Sequence, residues 1–246
     1  MKKSIILFSF IIFLSCKKEE VVEFYPDGSK KTIIYPDPKN STKIIQEDFY
    51  STGELKAIAH NIDGVVVDTV YYFYKNKKVK EKGLFKNNLN NGWWFYFDEK
   101  GNLTSKKEYV LVDNVSHLNQ VINFNKEMDT IFNSSFYFKL YIQDTLKIGK
   151  NIGRIKYHPN ISTEEKFFQI LIDNQITDNL IVNDTFRQEK SITRFGIFAH
   201  KKGLKKVKGA ILETTMVLKK GEKPNNSSLK IGRYKRYFEK EVYVKS

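Results

Sequence analysis

Apolar and polar residues alternate along much of this chain with a period of two, the spacing that puts every second side chain on one face of a β-strand. The alternation is plainest in Phe136-Tyr137-Phe138-Lys139-Leu140-Tyr141-Ile142 and in Tyr237-Phe238-Glu239-Lys240-Glu241-Val242-Tyr243-Val244. From residue 113 onward, strand-like runs rich in Ile, Val, Phe and Tyr cover 120–124, 136–142, 153–157, 167–172, 180–182, 192–199, 206–218 and 233–244. Asn, Asp, Gly and Ser separate them. No sustained run with a helical period of 3.6 appears; only Ser162-Thr163-Glu164-Glu165 has the residues to cap one short helix. Regular short strands with polar turns predict a β-sandwich over residues 113–246, immunoglobulin-like in layout but without a Cys-Trp-Cys signature.

Between residues 23 and 112 the pattern repeats itself. Phe24-Tyr25-Pro26-Asp27-Gly28-Ser29-Lys30-Lys31 is followed by Phe49-Tyr50-Ser51-Thr52-Gly53-Glu54-Leu55-Lys56 and by Phe73-Tyr74-Lys75-Asn76-Lys77-Lys78-Val79-Lys80. Tyr96-Phe97-Asp98-Glu99-Lys100-Gly101-Asn102-Leu103 reads as a fourth copy with one extra residue in its turn. The tyrosines recur about every 23–25 residues. In each copy an aromatic strand meets a Gly or Asn turn and an alternating strand leaves it. Lys77 replaces glycine in the third copy, where Asn76 is expected to take the turn conformation. One hairpin cannot bury its apolar face, whereas several stacked ones can.

Gly92-Trp93-Trp94-Phe95-Tyr96-Phe97, Gly101-Asn102-Leu103 and the connecting segment Phe85-Lys86-Asn87-Asn88-Leu89-Asn90-Asn91-Gly92 carry a family resemblance. The array resembles divergent bacterial MORN-type repeats, and its fourth copy is also similar to the YD repeats of large surface proteins. Both are β-hairpin repeats. The first resemblance implies an antitoxin-like role, which means binding and not catalysis. The expected architecture is therefore all-β: a MORN-like hairpin array over 23–112, then the sandwich. Trp93 and Trp94 are adjacent, so on a strand they face opposite sides. One is expected to pack into the array, and the other to be a candidate binding residue, since aromatic rings are favoured anchors.

The extreme N-terminus has a different texture. Met1-Lys2-Lys3 is a basic n-region, 4–14 is apolar, and Leu14-Ser15-Cys16 ends the run with a small residue and the only cysteine. The run is too short to span a bilayer, which takes roughly 20 apolar residues. Residues 1–15 resemble a bacterial lipoprotein signal, although Phe13 stands where leucine is usual. The resemblance implies that Cys16 becomes the acylated first residue of the mature chain and that its acyl chains are the membrane partner. Residues 16–22 would form the tether. Lys17-Lys18-Glu19-Glu20 resembles the export tetrad of Bacteroidetes surface lipoproteins, with Lys18, Glu19 and Glu20 as the signal. It implies display on the outer face of the outer membrane; the alternative is a periplasm-facing protein.

Charge and chemistry narrow the function. Removing Lys2 and Lys3 with the signal leaves 40 basic residues of 42 against 28 acidic, a formal charge of +12. Such a balance suits an anionic glycan, and export makes a nucleic-acid partner unexpected. Lys201-Lys202, Lys205-Lys206-Lys208, Lys219-Lys220 and Arg233-Lys235-Arg236 could line one positive face, or simply discourage strand pairing at sheet edges. With one cysteine no intramolecular disulfide can form, and acylation would leave no thiol for a cysteine protease. His60, His117, His158 and His200 are isolated, so no metal site is expected. No phosphate loop, no Gly-x-Ser-x-Gly and no framed carboxylate pair appears, so no cofactor and no catalytic residue is predicted. Asp63 and Asp68 flank a valine run and read as turn residues. Asp68-Thr69-Val70, Asp129-Thr130-Ile131 and Asp144-Thr145-Leu146 resemble Bacteroidetes O-glycosylation acceptors.

The expectation is a lipid-anchored, non-catalytic binding protein of the envelope, engaging a protein or an anionic glycan. An antitoxin or immunity protein is the first rival and a hydrolase of a surface polymer the second.

Overall fold

The computed structural model describes residues 20–159, 165–189, 192–220 and 227–245. Among these the protein is all-β, with seventeen strands, one 3-10 turn and no α-helix. A hairpin array comes first and a β-sandwich follows. The array is one nine-stranded antiparallel sheet in sequence order: β1 (Val21–Phe24), β2 (Lys30–Asp37), β3 (Asn40–Phe49), β4 (Leu55–Ile62), β5 (Val65–Phe73), β6 (Val79–Lys86), β7 (Leu89–Phe97), β8 (Leu103–Val112) and β9 (Val115–Asn123). It runs on past Val112. The segment at 120–124, which the alternation suggests as the start of the sandwich, pairs with β8 as the last strand of the array.

Two kinds of turn build the meander. At one end, Tyr25 N–H bonds Ser29 O at 2.8 Å while Gly28 N–H bonds Tyr25 O at 2.9 Å. The same two bonds close Tyr50–Glu54, Tyr74–Lys78 and Asp98–Asn102. The fourth residue of each turn lies at positive φ: Gly28 at 81°, Gly53 at 94°, Lys77 at 67° and Gly101 at 91°. A register bulge sits beside each turn, as three-residue hairpin loops require. The fourth copy therefore has no extra residue: Asp98, not Tyr96, occupies the tyrosine position. In the third copy Lys77, not Asn76, takes the left-handed conformation, and Asn76 Oδ1 accepts the Lys78 N–H at 3.0 Å. A fifth copy closes at Asn125–Asp129, with Met128 at 66°. At the other end, Asp63-Gly64, Asn87-Asn88 and Asp113-Asn114 have both residues at positive φ, the requirement of the type I′ turn that matches strand twist.

A single sheet buries little unless large and small side chains cover one another. Here they alternate across strands. Ala57 pairs with Tyr72, Ser105 with Tyr96, and Gly83 lies beneath Trp94. Trp94, Val70, Ala57, Thr32 and Ser105 are buried on this face. A ladder also ties one repeat to the next. The Tyr25 hydroxyl donates to Phe49 O, Tyr50 to Phe73 O and Tyr74 to Phe97 O, each at 2.8 Å. Asp98 ends the ladder, because its short carboxylate turns back on its own turn and accepts from Lys100 and Asn102 N–H at 2.9 and 2.8 Å.

The sandwich has a three-stranded and a five-stranded sheet. The first is β10 (Tyr137–Tyr141), β12 (Gly149–His158) and β15 (Thr193–Ala199); the second, in order, is β11 (Thr145–Lys147), β17 (Ser227–Lys245), β16 (Gly203–Lys220), β13 (Glu165–Thr177) and β14 (Leu180–Arg187). Ile155, Ile170, Phe195, Ile197, Ile211 and Val244 fill the space between them with almost no exposure. The three-residue β11, parallel to β17, is too short to show as an alternating run. Ser162, Thr163 and Glu164, the proposed helix cap, lie outside the described residues, and Glu165 opens β13.

Array and sandwich meet through a polar joint. Asn119, 1% exposed, sits at a bulge in β9 where Glu108 pairs with Gln120 and Tyr109 with Leu118. Its amide donates to Tyr237 O at 2.9 Å and its oxygen accepts Tyr237 N–H at 2.6 Å, so a side chain satisfies both backbone groups of a strand 118 residues away. Glu108 accepts from Asn119 and Gln120 at 2.7 and 2.6 Å, and Gln120 Oε1 accepts Phe138 N–H at 2.9 Å. The Arg236 guanidinium stacks 4.1 Å from the centre of the Phe136 ring and donates to Leu118 O at 2.9 Å.

Candidate ligand-binding face

The two tryptophans of β7 part as period-two geometry demands. Trp94 is 3% exposed; its indole N–H reaches Leu84 O at 3.2 Å, and Phe85 and Tyr109 meet it edge-on with ring centres at 5.1 and 6.4 Å. It is a packing residue, held against Gly83. Trp93 lies on the opposite face and is partly buried.

That opposite face carries an ordered array of rings and cations. Trp93, Phe95 and Phe97 line β7, and Tyr71 and Phe73 line β5, with ring centres 6.5 Å apart. Between these rows, on β6, Lys82 pairs with Tyr71 on one side and Phe95 on the other. Its ammonium lies 6.0, 5.9 and 6.0 Å from the ring centres of Tyr71, Phe95 and Phe97. On β8, Lys106 sits opposite Phe95 and places its ammonium 5.0 Å from the Trp93 ring. Among the described residues, neither lysine has a carboxylate within salt-bridge reach. Each of these rings is partly buried and keeps a minor part of its surface accessible, so the face presents aromatic edges and faces between its cations. The spacing Trp93-x-Phe95-x-Phe97 shows the β7 row in the sequence; Lys82 and Lys106 belong to it only through register.

The face leads into a groove. Glu108, directly across from Trp93, lines a cleft of about 1000 Å³ together with Val110 and Gln120 of the array and Leu171, Lys235 and Tyr237 of the five-stranded sheet. Lys235 lies 5.6 Å from the Tyr237 ring. Three members of the basic clusters are engaged within the fold. Lys206 and Lys208 reach Glu239 at 3.2 and 4.0 Å, while Arg236 turns into the joint.

Several titratable groups elsewhere have structural partners. Burial, then the Glu213 charge, holds the Tyr157 phenol well above its usual range, and its hydroxyl donates to Glu213. Burial and then the Tyr109 hydroxyl raise Tyr96. His158 stacks on Tyr137 with ring centres 4.5 Å apart, and its pKa is lowered by burial. His200 contacts Asp178 at 3.0 Å. Among the described residues no group of three His, Cys, Asp or Glu side chains could hold a metal ion. Asp63 is a turn residue, and Asp68, at φ 63°, pairs with Lys43 across the sheet.

Cys16, Lys18 and Glu19 lie outside the described residues; Glu20 is exposed, immediately before β1. No helix among the described residues is long and apolar enough to cross a membrane. Compared with known protein families, with curated proteins and with solved structures, the chain matches none.

Proposed function

We propose that the chain is a non-catalytic binding protein of the cell envelope, held to the membrane by acyl chains on Cys16 and displayed outward by Lys18, Glu19 and Glu20. Two or three acyl chains make such attachment durable, since each buried methylene contributes about 0.8 kcal/mol. The observation that carries the binding role is the partly accessible aromatic face around Lys82 and Trp93, where two ammoniums with no carboxylate partner among the described residues stand beside five rings. Aromatic and cationic side chains are the usual anchors of recognition surfaces.

Cys16→Ser should release the protein from membranes and leave unprocessed precursor; continued membrane association without precursor would refute the anchor. For binding, the mature chain is crosslinked in intact envelopes and compared with its Trp93→Ala and Lys106→Gln variants. Loss of the crosslinked species in both variants is expected. Unchanged crosslinking refutes this face as the binding surface, and turnover of a glycan or peptide by the purified mature chain refutes the non-catalytic role.

A further inference from the structure

We infer that the face around Lys82 and Trp93 takes an acidic glycan carrying one acid group on every second sugar. The inference rests on the binding role proposed above and names its ligand. Strands β5 to β8 are each paired on both sides, so the face has no free edge to which a peptide strand could add. Recognition there must run through side chains. Five rings supply flat apolar surface suited to the C–H faces of pyranose rings, and Lys82 and Lys106 supply the cations.

The sparseness of charge selects among polyanions. A nucleic-acid strand presents a phosphate at each nucleotide and is met by many Lys and Arg residues. Here two ammoniums stand among uncharged rings, and Glu108 lies across from Trp93. Lys82 and Lys106 lie on β6 and β8, two strand spacings or about 9.6 Å apart, with the β7 rings between them. That span is close to the length of one disaccharide. A chain crossing the strands obliquely, from Lys82 past Phe95 and Trp93 to Lys106, would set sugars on the β7 rings and bring acids on alternate sugars to both lysines. Beyond Lys106, the cleft between Val110 and Tyr237 continues the path.

The probes are hyaluronan oligosaccharides, with one carboxylate per disaccharide, neutral dextran, and poly-glutamate as an anion without sugar rings. Binding to the detergent-solubilised mature chain is measured by calorimetry. Hyaluronan should bind about tenfold more tightly than poly-glutamate, the increment expected when cation and ring act together, and dextran more weakly still. Trp93→Ala and Lys106→Gln should each weaken hyaluronan binding roughly three- to tenfold. Lys206→Gln, whose partner is Glu239 on the sandwich, should leave it unchanged, and each variant should keep a cooperative thermal transition. Equal affinity for poly-glutamate, or hyaluronan binding indifferent to Trp93→Ala and Lys106→Gln, overturns the inference. If hyaluronan fails to bind while both variants still lose the envelope crosslink, the face binds something else and only the glycan assignment falls. If the crosslink also persists, both readings fall.

Discussion

A Cβ on Gly83 would stand 2.1 Å from Trp94 Cδ2, far inside van der Waals contact. Gly83→Ala must therefore push the indole off its seat between Phe85 and Tyr109. Overpacking of this kind costs about 1–3 kcal/mol, visible as a lower denaturation midpoint and a shifted tryptophan emission. Lys77 points the other way. At φ 67° it holds a conformation that costs an L-residue roughly 1 kcal/mol, so Lys77→Gly should raise stability by about 0.5–1 kcal/mol. The same change at Gly53 has no counterpart, because glycine is already there. Tyr35 adds a pH signature. Partial burial, then its bond to Glu47 at 2.9 Å, pushes its phenol up to about 12. The folded value lies above the unfolded one of about 10, so its contribution is complete below pH 10 and disappears as pH rises through 12. Thermal transitions recorded from pH 8 upward should fall more gently in Tyr35→Phe than in the parent.

At the scale of elements, the tyrosine ladder stabilises neighbouring hairpins against sliding. Tyr50→Phe removes one rung and leaves Phe73 O without its donor, a loss of about 1 kcal/mol, and native-state hydrogen exchange should speed up in β3 to β6 before it does in β8. Much of this array is legible in the sequence, because glycine at the left-handed position and asparagine or aspartate in the opposite turns are local requirements. Where another residue is forced into the same backbone, the reading fails. Met128 hides the fifth turn, and the aspartate at 98 shifts the apparent tyrosine register by two. The sandwich strands are legible as apolar runs, yet β11 is not, since three residues carry no period. Trp93 stands out by composition, whereas Lys82 and Lys106 become partners of its row only once register sets strand against strand.

The whole molecule depends on contacts that no local pattern records. Asn119 meets Tyr237 across 118 residues, and its neighbours in sequence give no sign of it. Asn119→Ala leaves both backbone groups of Tyr237 without a partner, while Glu108 keeps its bond from Gln120. Each buried polar group left unsatisfied costs about 1–3 kcal/mol, so a single calorimetric transition should separate into two, array and sandwich. Acid acts more broadly. The pKa of Asp98 is lowered by its bonds to Asn102, that of Asp144 by Lys240 and that of Asp178 by Lys201 and His200. Their contributions are complete above the unfolded carboxylate range and fade as pH falls through the lowered folded values.

The meander also has a mechanical character. Its strands follow one another in chain order, so a pull between Glu20 and the sandwich does not shear a block of parallel bonds at once. It peels the sheet from β1 inward, a hairpin at a time, and meets Tyr25, Tyr50 and Tyr74 in succession. Each released unit of roughly 24 residues lengthens the chain by up to about 80 Å at full extension. Force along the chain therefore meets the array as a series of separate hairpin steps, each gated by its own tyrosine bond, rather than as one block.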